Sequence, residues 1–201
     1  MGITAQQFEQ MQRRVRSRGR TTAAVFEAND QARRKHEFIL GIDPSLRGTG
    51  YGIVRSARPF PQIVTQGTIR CVTTWEHSRC LVEIAQSLRD VIKEHRPTVC
   101  IIEGLFYAQN FKTALIMGEA RGASLVAVAE AGLEIFEMAP RKVKQAIVGY
   151  GAAQKLAVAK MVQRMLHLAH PPEPDAADAL ALALTHAQEQ GRHIASAPRR
   201  V

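Results

Sequence analysis

Long apolar runs are missing from this chain. Its richest stretch, ASLVAVAEAGL, is broken by Glu130, so nothing approaches the roughly 18–20 residues a membrane-crossing helix needs. No apolar core of a secretory leader stands near the start, and Met1-Gly2 lacks the downstream residue of a myristoylation signal. Cysteine is scarce: Cys71, Cys80 and Cys100 form no C-x-x-C pair, which reads as reduced thiols and a cytoplasmic protein rather than a disulfide scaffold or zinc site. Internal repeats and low-complexity blocks are also missing. What remains is a globular profile of 201 residues, 46% hydrophobic and 22% charged, enough for one domain with its own core.

The net charge of +9 is unevenly spread. Residues 1–36 carry eight Lys/Arg against three Asp/Glu, and residues 191–201 carry three Arg and no acid. The segment 37–190 is nearly neutral, so the basic excess belongs to the two ends and does not by itself argue for nucleic acid. Within the neutral segment one stretch stands out. Between Glu137 and Glu173 lie Arg141, Lys142, Lys144, Lys155, Lys160 and Arg164 with no intervening acid, a local positive face. The organisation predicted is a basic, flexible arm (1–36), a domain (37–190) and a flexible tail (191–201).

A short apolar run ending in an acid predicts a buried strand at 37–43, and two more strands follow at 49–56 and 62–72, joined by short turns, which implies an antiparallel meander. Cys80, Leu81, Ile84, Leu88, Val91 and Ile92 line one face of a helix at 76–95, which Pro97 closes. A fourth strand follows at 98–103, a helix at about 111–131 and a fifth strand at 134–138. The remainder reads as helical, ending in a helix at 175–187 after the break HPPEP. This order predicts an α/β fold, a five-stranded mixed sheet with helices on both faces, with strands one and four side by side.

Carboxylates fall at telling places. Asp43 ends the first strand and Glu103 the fourth, while Asp175 and Asp178 lie three apart on the last helix and share a face. Each has a structural alternative: Asp43 before Pro44 suits a turn, Asp175 an N-cap, Asp178 the helix dipole. Together, four converging carboxylates would repel unless cations neutralised them. Hard divalent ions with oxygen ligands do so, and a pair of them supports phosphodiester hydrolysis.

FILGIDPSLRGTGYG, IIEGLFYAQNFKTALIMGEARGA, FEMAPRKVKQAIVGYGAAQK and DAADALALALTH, in that order over about residues 38–188, resemble the bacterial RuvC Holliday-junction resolvases. The resemblance implies an RNase H-like fold, a homodimer and paired symmetric nicks in a four-way DNA junction. It also implies Mg²⁺, two ions per subunit with Mn²⁺ able to substitute, and cooperation with the RuvA–RuvB branch-migration machinery. Asp43, Glu103, Asp175 and Asp178 match the family's metal-binding acids. Phe106, beside Tyr107, matches an aromatic that stacks on a junction base, a contact worth about 1–3 kcal/mol. Lys144 and Lys155 match basic residues near the scissile phosphate, Lys155 counting among the catalytic set, and Arg141 and Lys142 are further candidate DNA contacts. Ala114, Gly118 and Gly122 share one stripe of the 111–131 helix, which in the family contributes to the dimer interface; packing of those glycines on this chain's own sheet is the alternative. Ser45-Leu46 departs from the family's usual Gly-Ser, and the 36-residue arm has no counterpart in its pattern.

Other features weigh less. His167 and His170 lack a soft partner for a metal, and GTGYG lacks the Lys-Ser/Thr of a P-loop. Two further readings stand beside the nuclease: an actin-like ATPase, whose usual second domain this chain is too short to hold, and a non-catalytic binder of DNA junctions.

Overall fold

The computed structural model describes residues 36–104, 110–190 and 199–201. The elements are β1 (Phe38–Asp43), β2 (Gly48–Arg55), β3 (Gln62–Arg70), α1 (His77–His95), β4 (Val99–Glu103), α2 (Phe111–Glu130), β5 (Ile135–Met138), α3 (Pro140–Val148), α4 (Lys155–Met165), α5 (Pro174–Glu189) and β6 (Arg199–Arg200). The arm at 1–36 falls outside the described residues apart from His36, and so do Phe106 and Tyr107.

The sheet runs β3-β2-β1-β4-β5-β6. β1, β2 and β3 pair antiparallel, whereas β4 lies parallel to β1 and β5 parallel to β4. The five expected strands are therefore joined by a sixth. Arg199–Arg200, in the segment read from sequence as a flexible tail, pairs antiparallel with β5. Two residues carry no periodicity from which such a strand could be read.

Each central strand is buried on both faces, and side-chain alternation divides the core in two. Leu40, Ile42, Cys100 and Ile102 pack with Cys80, Ile84 and Leu88 of α1 and with Ala120, Ala127 and Val128 of α2. Ile39, Val99 and Ile101 pack on the other face with Val143 of α3, Val158 and Val162 of α4, and Leu180 and Leu184 of α5. The three cysteines are buried thiols that belong to the same apolar interior.

Helix ends follow local chemistry. α1 stops at Arg96, whose left-handed backbone (φ 45°) donates its N–H to the Ile92 carbonyl just before Pro97. Asn110 caps α2 by accepting the Thr113 N–H at 2.9 Å. α5 begins one residue earlier than expected, with Pro174 in its first turn and Glu173 at the N-cap. Asp175 is thus not the cap, and its carboxylate is free for another task.

α5 lies on β1 and β2 at very short range. A Cβ on Gly41 would stand 1.9 Å from the Ala179 carbonyl oxygen, and one on Gly50 2.0 Å from that of Asp175. Only the missing side chains let this helix sink so deep. Its first turn is thereby brought down over Gly50, the residue paired with Asp43.

Candidate active site

The register of the central strands sets the first two acids. Ile42 of β1 is paired with Ile102 of β4. The next residues, Asp43 and Glu103, therefore emerge side by side at the strand ends. By alternation both project on the face of Ile39 and Ile101, towards α5. The helix answers with Asp175 and Asp178, three residues apart on its first turns. All four acids line one open cleft of about 570 Å³ together with Lys144 and Lys155.

The electrostatics are those of a crowded anion cluster. Burial pushes the Glu103 carboxyl up to about 9, with the charges of Asp43 and Asp178 adding to the effect. Burial also raises Asp43, although a hydrogen bond with Glu103 works in the opposite sense. Burial and mutual repulsion thus work against two bare charges at this pair. Lys155 is the nearest positive group. Its Nζ lies 2.9 Å from Asp178 Oδ2 and 3.8 Å from Asp175 Oδ1. Burial lowers Lys155, but its bond to Asp178 and the charges of Asp178, Asp43 and Asp175 outweigh this and hold its ammonium above the ordinary lysine range.

This donor set fits a hard divalent cation: four carboxylates from three elements, two of them, Asp43 and Glu103, raised by burial and by the neighbouring negative charges that a cation would offset. The acids line the cleft without converging on a point. Among the described residues no three acidic, His or Cys side chains form a ready-made cage.

The other sequence candidates are distributed unequally. Lys144 lines the cleft. Lys142 is turned away, its Nζ 2.7 Å from Glu189 Oε1 near the far end of α5. Arg141 is exposed and packs beside Gly151. On α2, a Cβ built on Gly118 or Gly122 would meet nothing within 4 Å among the described residues, which removes the alternative that these glycines pack on the chain's own sheet. Phe111 and Leu115 of the same helix are exposed. Sequence reasoning missed His77 and Thr113, which also line the cleft; neither stands in a pattern that marks it.

A ribonuclease H-like sheet with acids at the adjoining ends of its two central parallel strands, met by acids from a helix laid across it, defines a metal-dependent nuclease. Comparison with known proteins makes this particular. The family model described as crossover junction endodeoxyribonuclease RuvC matches residues 39–186. A protein of that name from Halorhodospira halophila is 46% identical over 159 residues, covering 79% of this chain and 95% of its own length. One from Pseudomonas aeruginosa is 46% identical over 152 residues, covering 76% and 87%. Among solved structures, Thermus thermophilus RuvC in complex with Holliday junction substrate superposes with a TM-score of 0.73 at 31% identity, over 83% of this chain and all of the other. The yeast mitochondrial resolvase Ydc2, at 12% identity and a TM-score of 0.55, shares the fold. The chain belongs to the RuvC family of crossover junction endodeoxyribonucleases. That membership decides against the actin-like ATPase and the non-catalytic binder.

Proposed function

We propose that this enzyme resolves four-way DNA junctions by paired symmetric nicks, each leaving a 5′-phosphate and a 3′-hydroxyl, with Asp43, Glu103, Asp175 and Asp178 as its metal-holding acids. The observation that carries the reading is the meeting of these acids and Lys155 in one cleft from segments more than 130 residues apart in the chain. Two Mg²⁺ ions, or Mn²⁺ in their place, would supply an activated water and neutralise the leaving oxygen. The chain's own part is positional. The sheet fixes Asp43 and Glu103 on rigid strand ends, and the depth of α5 brings Asp175 and Asp178 to them. Lys155 and Lys144 offer ammonium groups to the phosphate, Lys155 tethered at the rim by Asp178. Arg141, being exposed, extends this basic surface beyond the cleft, while the ion pair of Lys142 withdraws it. Phe106 and Tyr107 lie three and four residues after Glu103 in sequence, which supports a base-stacking role for one of them.

A four-way junction has two-fold symmetry, and two opposed nicks call for two sites related by a dyad. The face of α2 bearing Phe111, Ala114, Leu115, Gly118 and Gly122 supports a homodimer: exposed apolar side chains flank glycines whose open side the described residues leave uncovered. Cooperation with RuvA and RuvB in the bacterial cytoplasm accords with family membership. The test is a synthetic mobile four-way junction incubated with and without Mg²⁺. The parent chain cleaves only with the ion, and Asp43→Asn binds the junction but does not cut it. Cutting by Asp43→Asn at the parental rate refutes the site.

A further inference from the structure

Glu103 is the last residue of β4, and the direction of its carboxylate depends on how the strand end is held. One tie is the Gly104 N–H, which donates to the Met138 carbonyl at 3.0 Å. A second comes from behind the sheet. Met138 packs on the α5 face, so its neighbour Glu137 projects on the opposite face, towards α2. There Arg121, from the middle of α2, ion-pairs with Glu137 and turns its Nε to the backbone carbonyl of Glu103 at 3.4 Å. Both side chains are largely buried, at 14% and 18% exposure. Burying such a pair gains little over apolar packing, because desolvation offsets the attraction. What the planar fork adds is direction: two donors in fixed geometry link α2, β5 and the end of β4 at one point.

We propose that Arg121 is a positioning residue of the nuclease: anchored by Glu137, its guanidinium holds the Glu103 carbonyl from the rear face and so aims the Glu103 carboxylate into the cleft. This rests on Glu103 being one of the metal-holding acids. Arg121 touches neither substrate nor reacting atoms, and it acts through the backbone of the residue that does. It also sits between Gly118 and Gly122 in sequence, so the helix carrying the open glycine face is bolted to a catalytic strand end.

The test is a set of full-length variants: Arg121→Gln, Arg121→Lys, Arg121→Gln/Glu137→Gln and Glu103→Gln. Each is assayed for thermal unfolding, junction affinity, turnover, and Mn²⁺ affinity in the absence of DNA by paramagnetic resonance of free Mn²⁺. Outer-shell losses of this kind cost about 10- to 100-fold in turnover or metal affinity. Arg121→Gln is expected to lose turnover and Mn²⁺ affinity in that range while binding the junction within about twofold of the parent. Arg121→Lys, which keeps the charge without the planar fork, falls between. The double variant removes the unpaired buried Glu137 carboxylate, so it regains thermal stability while turnover and Mn²⁺ affinity stay low. Recovery of turnover together with stability in the double variant reduces Arg121 to a brace and overturns the proposal, as do parental turnover and Mn²⁺ affinity in Arg121→Gln. Glu103→Gln separates the two claims. If it cuts at the parental rate, the site assignment fails; if it is inactive while Arg121→Gln is fully active, only the positioning role fails.

Discussion

Lys155 faces two carboxylates at once, and its consequences are separable from those of the acids. It does not stand on the sheet, and its stem is exposed, so replacing it leaves the core untouched. Lys155→Met should lower turnover about 100-fold, the scale of losing one electrostatic contact to a reacting group, with a small change in junction affinity; single-turnover cleavage and equilibrium binding read the two separately. His186 presents the opposite case, a titratable group remote from the cleft. Burial holds it down to about 4, with His36 and Lys142 contributing. Its Nε2 lies 2.9 Å from His36 Nδ1, and its ring stacks on Phe136. The charged groups around this contact are Glu134, which faces His36, and Lys142, which Glu189 holds. His36 is itself lowered by burial, with Glu134 opposing. The unfolded chain takes up a proton at His186 near pH 6.5 and the folded chain only near 4. Stability from this group is therefore complete above pH 6.5 and is lost as pH falls towards 4, by on the order of 3 kcal/mol. Denaturant unfolding at pH 7 and 4.5 should show that loss, and His186→Leu should flatten it.

Elements differ in how openly the sequence announces them. The strand-ending acids were legible because short continuous apolar runs, each closed by an acid, assign β1 and β4 to the interior, and a right-handed crossover sets them side by side. From that point the adjacency of Asp43 and Glu103 needs no further information. The depth of α5 was not legible. Gly50 and Gly52 of GTGYG suggest no more than a flexible strand, and Gly41 carries no sign at all, because what these glycines accommodate is a helix more than 120 positions away. Arg121 was equally silent: an arginine in mid-helix carries no sign of which backbone it reaches. The glycines of the sheet and of α2 can be told apart by experiment. Gly41→Ala drives a methyl into the Ala179 carbonyl and should cost about 3 kcal/mol or more. Gly118→Ala meets none of the described residues and should stabilise the single chain by about 1 kcal/mol through helix propensity, while weakening self-association. Chemical denaturation and sedimentation velocity of the two variants give these opposite signs.

At the scale of the whole molecule, charge and chemistry are divided. The cleft is acidic at its floor and basic at its rim, while a further excess of Lys/Arg, eight against three acids, lies in residues 1–36, outside the family match. If that segment adds phosphate contacts, each releases counterions on binding, and affinity falls more steeply with salt. Deletion of residues 1–35 should weaken junction binding and reduce the slope of log affinity against log salt, with Mg²⁺-dependent cutting retained. An unchanged slope dismisses the arm as a DNA contact.

The Glu134 carboxylate receives both margins of the folded body: His36 Nε2 lies 3.5 Å from one oxygen and Arg200 Nη2 3.1 Å from the other. The Gln190 side chain clasps the backbone of His36 at 3.0 Å in both directions. With β1 starting and β6 finishing at one spot, a short peptide can stitch residue 200 to residue 36, and fresh termini can be opened in a surface loop such as the one between β2 and β3. The fold thereby lends itself to circular permutation, with the seam lying at the end of the sheet remote from the acids.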